Sequence, residues 1–435
     1  MSISILAGLI ILGVLVALLI LGVPIAVSLG IASVAAILPV MPFDVAVVTA
    51  SQRIFSGISV FSLLAIPFFV LAGNIMNKGG IAIRLINLAK LLTGHLPGAL
   101  AQTNVLANML FGAISGSGTA AASAMGSIIG PIEKDDGYDP SFSAAVNIAT
   151  APTGLLIPPS NAMITYALIA SGASVSALFM AGYIPGILWG LICMVIVYFI
   201  AKKYNYRSEV SYTGKEKVHI LLESLPCLLL IVIVIGGIIF GVFTATEGSV
   251  VAVVYSLCLS LFLYKSIQFK DLYRIFKESA EMTGIIVFLI GVSSIMSWVM
   301  AFTGIPQMVS DALLSLTTNK YIILFLINII LLIVGTFLDM TPAILIFTPI
   351  FLPVCLALGM NIVHFGIMMI YNLAIGTITP PVGTTLFVGV KVGGVTIESV
   401  FKLLLLFFAG IIAVLFLVTY IPELSLFLPS LLGQV

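Results

Sequence analysis

Hydrophobic residues along this chain do not alternate with polar ones; they run on without interruption. Stretches such as Leu6–Val27 and Leu228–Phe243 meet or approach the length of about 20 residues that an α-helix needs to cross a hydrocarbon core. Transmembrane β-strands would alternate apolar and polar residues over about ten positions, and the sequence lacks that period. Plain spans are predicted at roughly 4–23, 24–40, 58–77, 175–201, 220–243, 247–264, 282–302 and 395–421.

Shorter, more polar pieces lie between the spans. Asp44–Ser56 reads as an interfacial arm. Lys265–Glu281 reads as a second arm, because Lys265, Lys270, Arg274 and Lys277 alternate with apolar residues at helical spacing, as in a helix lying in the headgroup plane. An ordinary cytoplasmic loop is the competing reading there. The longest polar stretch, Lys202–Lys217, carries Lys202, Lys203, Arg207, Lys215 and Lys217 near the middle of the chain. The positive-inside rule places it, with Arg274 and Lys277, in the cytoplasm. An odd number of crossings in each half would leave both termini in the periplasm and invert one half relative to the other.

Composition agrees with a bilayer solvent. Of the 435 residues 61% are hydrophobic and 8% are charged, whereas a soluble domain carries roughly a quarter charged residues. The net charge of +1 argues against nucleic acid and against a polybasic surface role. The N-terminal Met1-Ser2-Ile3-Ser4 has no positive n-region or small-residue cleavage site, so the first helix is expected to stay in the mature protein. Cys193, Cys227, Cys258 and Cys355 each sit alone in an apolar run and read as packed core thiols. His95, His219 and His364 are scattered, and metal ligation needs a cluster.

Two stretches depart from the span pattern, Asn104–Gly172 and Ile322–Gly394, and they superpose at one offset. Thr119, Pro131, Gly154, Pro158 and Pro159 recur 222 positions later as Thr341, Pro353, Gly376, Pro380 and Pro381, with no gap. Special residues matching at a constant offset signal an internal repeat. Gly and Pro interrupt helices and strand backbone groups. In hydrocarbon such groups survive only where they line a cavity or bind a ligand. Leu100–Ile132 therefore reads as a re-entrant hairpin with its tip at Ser115–Thr119, returning at the charged segment Glu133–Asp139. The next helix, Ser141–Ala151, breaks at Pro152–Pro159 and resumes at Ser160. The second copy has its tip at Leu338–Pro342 and its break at Thr377–Gly383. The fold class is an all-α polytopic membrane protein of two inverted repeats, each a hairpin plus a broken helix.

Carbonyls at half-helix C-termini carry partial negative charge and suit a cation such as Na⁺, while N-terminal ends suit an anionic substrate group. Candidate Na⁺ positions are Ser115, Gly116, Ser117, Thr150, Pro152, Gly154, Gly335, Asp339, Thr341, Gly376, Thr377, Thr379 and Gly383. Candidate substrate positions are Ser117, Thr119, Ser160, Asn161, Thr384 and Thr385. Gly116–Thr119 resembles a phosphate loop but lacks its Lys and a preceding strand, and no ATP motif is present. Single Gly/Pro breaks also arise as packing kinks; two at one offset, each after a hairpin tip, favour a site. Asp339 is the sole acid of the second hairpin. It reads either as a cation or proton site or as a cap on the amide of Thr341. Thr244 and Glu247 form a capping-box pattern, and Lys391 reads as a snorkelling residue. An intramembrane enzyme would need a Ser–His or paired-Asp set at depth, which the spacing does not supply.

The pattern resembles the large membrane subunit of tripartite ATP-independent periplasmic (TRAP) transporters, the DctM-like type. The residues that carry the resemblance are Gly73-Asn74 after Ile66-Pro67-Phe68-Phe69, Ser115–Ala120, Pro152–Gly154 with Ile157–Ser160, Thr244–Glu247 and Thr379–Gly383. Ala245 and Gly248 depart from the family's usual Pro and Ala at a helix start. The resemblance implies an elevator-type carrier in a bacterial inner membrane, partnered by a small four-helix membrane subunit and a soluble periplasmic binding protein. It implies Na⁺ as coupling ion, no other cofactor, and an organic acid such as a sialic acid or a dicarboxylate as substrate. It divides the chain into a frame (1–57, 175–281 and 395–435) and a transport domain (58–174 and 282–394). A stand-alone divalent-anion or citrate carrier is the competing reading.

Overall fold

The computed structural model describes residues 3–206, 212–317 and 319–435, so Arg207 of the basic loop lies outside the described residues. All regular elements among the described residues are helical, and nine helical segments among them are long and apolar enough to cross a membrane. The first half opens with α1 (Ile3–Ile20), α2 (Ile25–Ile37) and the amphipathic α3 (Phe43–Ile58), which buries only Ala46 and Ala50. A single 3-10 turn leads into α4 (Ala65–Lys78), and Gly80, at φ 73°, turns the chain into α5 (Ile81–Thr93). The first hairpin is α6 (Ala99–Ser115) and α7 (Gly118–Asp135). The broken helix comprises α8 (Pro140–Thr150), a 3-10 turn over Ala151–Leu155, and α9 (Asn161–Ile169). The half closes on α10 (Val175–Tyr204).

The second half starts with α11 (Gly214–Ile239) and α12 (Ala245–Cys258), then α13 (Phe269–Thr303) and α14 (Ile305–Leu316). Its hairpin is α15 (Lys320–Phe337) and α16 (Met340–Ala357). Its broken helix is α17 (Ile362–Gly376) and α18 (Thr384–Gly393), followed by α19 (Ile397–Tyr420) and the short α20 (Glu423–Leu431). The two hairpins turn at residues 116–117 and 338–339, and the broken helices are interrupted between Thr150 and Asn161 and between Gly376 and Thr384. The equivalent Pro158–Pro159 and Pro380–Pro381 bonds are both cis.

One element differs from the sequence expectation. The predicted second arm is not separate from the following span: the helix that opens at Phe269 runs unbroken to Thr303. At the repeat offset α13 covers both α3 and α4. The first half breaks at Ile58-Ser59-Val60, just ahead of Pro67, and the equivalent residues of the second half are Ala280-Glu281-Met282 and Leu289. Ala, Glu and Met are strong helix formers, whereas Ile, Ser and Val are weaker and Pro lacks an amide.

The helices α5, α14 and α20 are too short to stand out as spans in the hydrophobic pattern. The capping box holds: Thr244 N–H donates to Glu247 Oε2 at 2.8 Å and Glu247 N–H to Thr244 Oγ1 at 3.2 Å. A second box, Thr213 with Glu216, opens α11. Cys193, Cys227 and Cys355 are buried, whereas Cys258, at the end of α12, is exposed and is not a core thiol.

Candidate functional site

The site is organised by two glycine crossings. The first arm of each hairpin lies against the end of the first half of its broken helix. A Cβ built on Gly112 of α6 would lie 2.4 Å from the Cα of Gly154, and one on Gly376 would lie 2.4 Å from the carbonyl oxygen of Gly335. No side chain fits between backbones that close, so the crossings require glycine at Gly112, Gly154 and Gly376, while a Cβ on Gly335 would lie a tight 3.2 Å from the Cα of Gly376. A polar pin beside each crossing locks its register. Asn108 Nδ2 donates to Thr150 Oγ1 at 3.0 Å in the first half, and Asn372 Nδ2 donates to Asn328 Oδ1 at 2.8 Å in the second. Thr150 and Asn372 are equivalent positions of the repeat. All four residues are buried, where an unmet amide is costly.

The crossings bring the tips and breaks together. Gly116, left-handed at φ 60°, presses the first tip onto the first break: a Cβ there would lie 2.8 Å from the carbonyl oxygen of Pro159. The neighbouring Gly118 reaches into the other half, where its Cβ would lie 3.2 Å from Thr385 Oγ1, and it also lies on its own break, with a Cβ 3.4 Å from the Cα of Pro152. At the second tip, Asp339 Oδ1 accepts a hydrogen bond from Thr384 Oγ1 at 3.2 Å. Asp339 makes no side-chain cap bond, so capping through Thr341 is not what holds it. Thr341 and Pro342 sit in the first turn of α16 rather than in the tip loop. Val382 N–H donates to Thr336 O at 3.1 Å and ties the second break to its hairpin. The start of α18 therefore stands between the two tips. On the other side α4 closes on the first tip, since a Cβ on Gly73 would lie 3.3 Å from Ser115 O.

The oxygens in this region are arranged to accept. Thr150, Ser160, Thr377 and Thr379 donate their hydroxyl protons to Val146, Leu155, Ala374 and Ile375 carbonyls at 2.6–2.8 Å, which leaves oxygen lone pairs free. Ser117 and Thr119 hydroxyls lie 3.1 Å apart. Thr377 O accepts from the amides of Thr385 and Leu386, and Gly383 turns the chain into α18. Ser115 Oγ, Asn161 Oδ1 and Thr385 Oγ1 are buried without a hydrogen-bond partner, although buried polar atoms are almost always bonded. Gly112, Asn108, Asn328 and Asn372 are site residues that the repeat alone does not single out. The signal for the three asparagines in the sequence is an amide side chain inside an apolar helix.

Residues 12–424 match the family "Tripartite ATP-independent periplasmic transporter, DctM component". The chain belongs to this family. It is 39% identical over 407 residues to the C4-dicarboxylate TRAP transporter large permease protein DctM of Pseudomonas aeruginosa, covering 94% of this chain and 95% of that one. It is 37% identical over 382 residues to the sialic acid TRAP transporter large permease protein SiaM of Vibrio cholerae, covering 88% and 89%. The Salmonella typhimurium protein YgiK is 50% identical over 404 residues, covering 93% of each chain. The solved Alcanivorax borkumensis YdaH transporter shares the fold at a TM-score of 0.61 and 13% identity, covering 85% of this chain and 86% of that one. As a DctM component the chain is a multi-pass membrane subunit of a three-part transporter, and its relatives are permeases rather than enzymes.

Proposed function

We propose that this DctM component imports an organic acid together with Na⁺, working in the inner membrane with a small membrane subunit and a periplasmic binding protein. The observation that carries the reading is the convergence of both hairpin tips on the start of α18, where Ser115, Asn161 and Thr385 present oxygens without partners. Neutral oxygens beside half-helix ends suit Na⁺, and at the start of α18, where Thr377 O takes the Thr385 and Leu386 amides, the unpartnered Thr385 hydroxyl is the group left to meet a carboxylate. The names of the relatives point to organic acids of two kinds, and this site holds no Arg that would select between them. One Na⁺ moving down 100 mV releases about 2.3 kcal/mol, so two ions supply roughly 5 kcal/mol without ATP.

The reading includes an elevator motion, with the Lys202–Lys217 loop in the cytoplasm and both termini in the periplasm. We place α10 and α19 in the moving unit rather than in the frame that the sequence suggested. The reason is their packing: α10 lies on α6, α8 and α17, and α19 lies on α8 and α17. Trp189 of α10 donates from Nε1 to Ala149 O at 2.8 Å, and Tyr371 of α17 donates to Ile411 O of α19 at 3.2 Å. We also place all of α13 in the frame with α1, α2 and α3, including its part beyond residue 281 that the resemblance assigns to the transport domain, because α13 packs on α2 and α3. Its contacts with α4 and α16 then lie on the boundary between the two units.

Asp339→Asn separates a ligand from a structural group. As a cation ligand the variant loses at least tenfold in Na⁺ affinity, about 1.4 kcal/mol, and melts like the wild type; lowered stability with unchanged affinity contradicts the role. The tripartite reading is tested by uptake in proteoliposomes with and without the binding protein. Uptake is expected only with it. Equal uptake by this chain alone favours the stand-alone carrier.

A further inference from the structure

The base of the first hairpin holds a second polar cavity, away from the tips. It has a volume of about 390 Å³ and lies among α6, α7, α8 and the last turn of α18. Glu133, on the last turn of α7, is 0% exposed and lines it. Neither carboxyl oxygen has a hydrogen-bond partner. Ser143 of α8 and Asn104 of α6 face the carboxyl without reaching hydrogen-bond geometry, and Ser143 Oγ and Asn104 Nδ2 are themselves buried and unbonded.

The electrostatics favour a cation. A buried carboxylate without a partner is unfavourable, so it either takes up a proton or binds a counter-charge. The charged side chains among the cavity's lining are Glu133, with Lys134 and Asp135 exposed at its rim, while α6, α8 and α18 contribute none. Lys134 and Asp135 offset each other. Both α7 and α18 end at the cavity and α8 begins there at Pro140, so partial charges of both signs meet and the carboxyl of Glu133 decides the balance. Gly126, Gly130, Gly389 and Gly393 line the cavity, which leaves more room than a bare ion fills. Among the described residues no group of three His, Cys, Asp or Glu is placed to hold a metal ion, which leaves one carboxylate and neutral oxygens. Oxygen donors suit a hard cation, and a single buried carboxylate balances the charge of a monovalent one.

We propose that this cavity is a Na⁺ site, with Glu133 as its carboxylate ligand and Ser143 Oγ and water completing the shell. It is separate from the tip site. A buried track joins the two regions: Asn108 Nδ2 donates to Asn104 Oδ1 at 2.8 Å, to Asn147 Oδ1 at 3.1 Å and to Thr150 Oγ1 at 3.0 Å. Na⁺ at Glu133 therefore sits at the hairpin-base end of a polar path that leads to the first break.

The test is calorimetric titration of NaCl into the full chain purified in detergent, with choline chloride holding ionic strength constant. Glu133→Gln is expected to lose one Na⁺-binding step, or to weaken it at least tenfold, while Ser117→Leu at the tip retains that step. Raising the pH from about 6 to about 8 should tighten the step in the wild type, because the proton competes for the carboxylate. Ser143→Ala, which leaves the acid in place, should weaken it at least threefold and guards against misfolding of the first variant. Wild-type Na⁺ binding in Glu133→Gln or Ser143→Ala overturns the proposal. So does a wild-type step that pH alters and Na⁺ does not, since Glu133 is then a plain buried acid. Loss of the tip step alone, in Ser117→Leu, bears on the transport reading and leaves this one standing.

Discussion

Gly154→Ala and Gly376→Ala are each expected to lower the melting temperature and to stop uptake, although each adds only one methyl group. The added Cβ would lie 2.4 Å from Gly112 Cα in the first case and 2.4 Å from Gly335 O in the second. Both neighbours are backbone, so no rotamer relieves the clash and a hairpin arm must move off its broken helix. Overpacking a tight contact costs about 1–3 kcal/mol and occasionally more; two opposed backbones place these variants at the upper end. The displacement also shifts the tip that the arm carries, so transport should fall further than stability. Gly13→Ala and Gly236→Ala are the controls, because nothing lies within 4 Å of either built Cβ. Removing glycine from a helix interior there should be neutral or stabilising by up to about 1 kcal/mol. Thermal melts of the purified protein, read beside uptake, decide the matter. If the crossing variants match the controls, the crossings do not organise the site.

Ser117→Leu and Thr379→Leu should abolish Na⁺-driven uptake while leaving membrane assembly intact. Ser117 caps α7 through its hydroxyl, with Ala120 N–H donating at 3.4 Å, and shares a contact with Thr119. Thr379 donates to Ile375 O at 2.7 Å across the second break. Both side chains are partly buried, so leucine fills space between tip and break that the proposed Na⁺ site needs. A loss of at least tenfold in Na⁺ affinity, about 1.4 kcal/mol, accompanied by wild-type chromatographic behaviour, is the expected pattern. Normal sodium dependence in both variants removes these residues from the site.

The places where this chain is interrupted are legible in the sequence itself, because Pro158, Pro159, Pro380 and Pro381 act locally on their own helices. What joins the interruptions is not. Gly112 pairs with Gly154 and Gly335 with Gly376, yet Gly112 maps at the repeat offset onto Val334, so the offset that aligns Gly154 with Gly376 misaligns their partners. The second copy makes the same crossing one residue out of register. The fusion of arm and span in α13 depends on Ala280, Glu281 and Met282 standing where Ile58, Ser59 and Val60 stand, a difference of propensity that an averaged hydrophobic pattern hides. In the sequence Glu133 is the first charge of a polar loop. Only the packing of α8 and α18 over the end of α7 buries it.

A sodium-coupled transport site formed by the tips and breaks has one direct consequence for flux. It is read as the initial rate of substrate uptake into proteoliposomes holding both membrane subunits, with the binding protein outside and no ATP. An inward Na⁺ gradient is expected to drive accumulation, replacement of Na⁺ by choline to stop it, and Ser117→Leu to stop it under either condition. Accumulation that continues undiminished in choline would mean that the tips and breaks do not couple substrate to sodium.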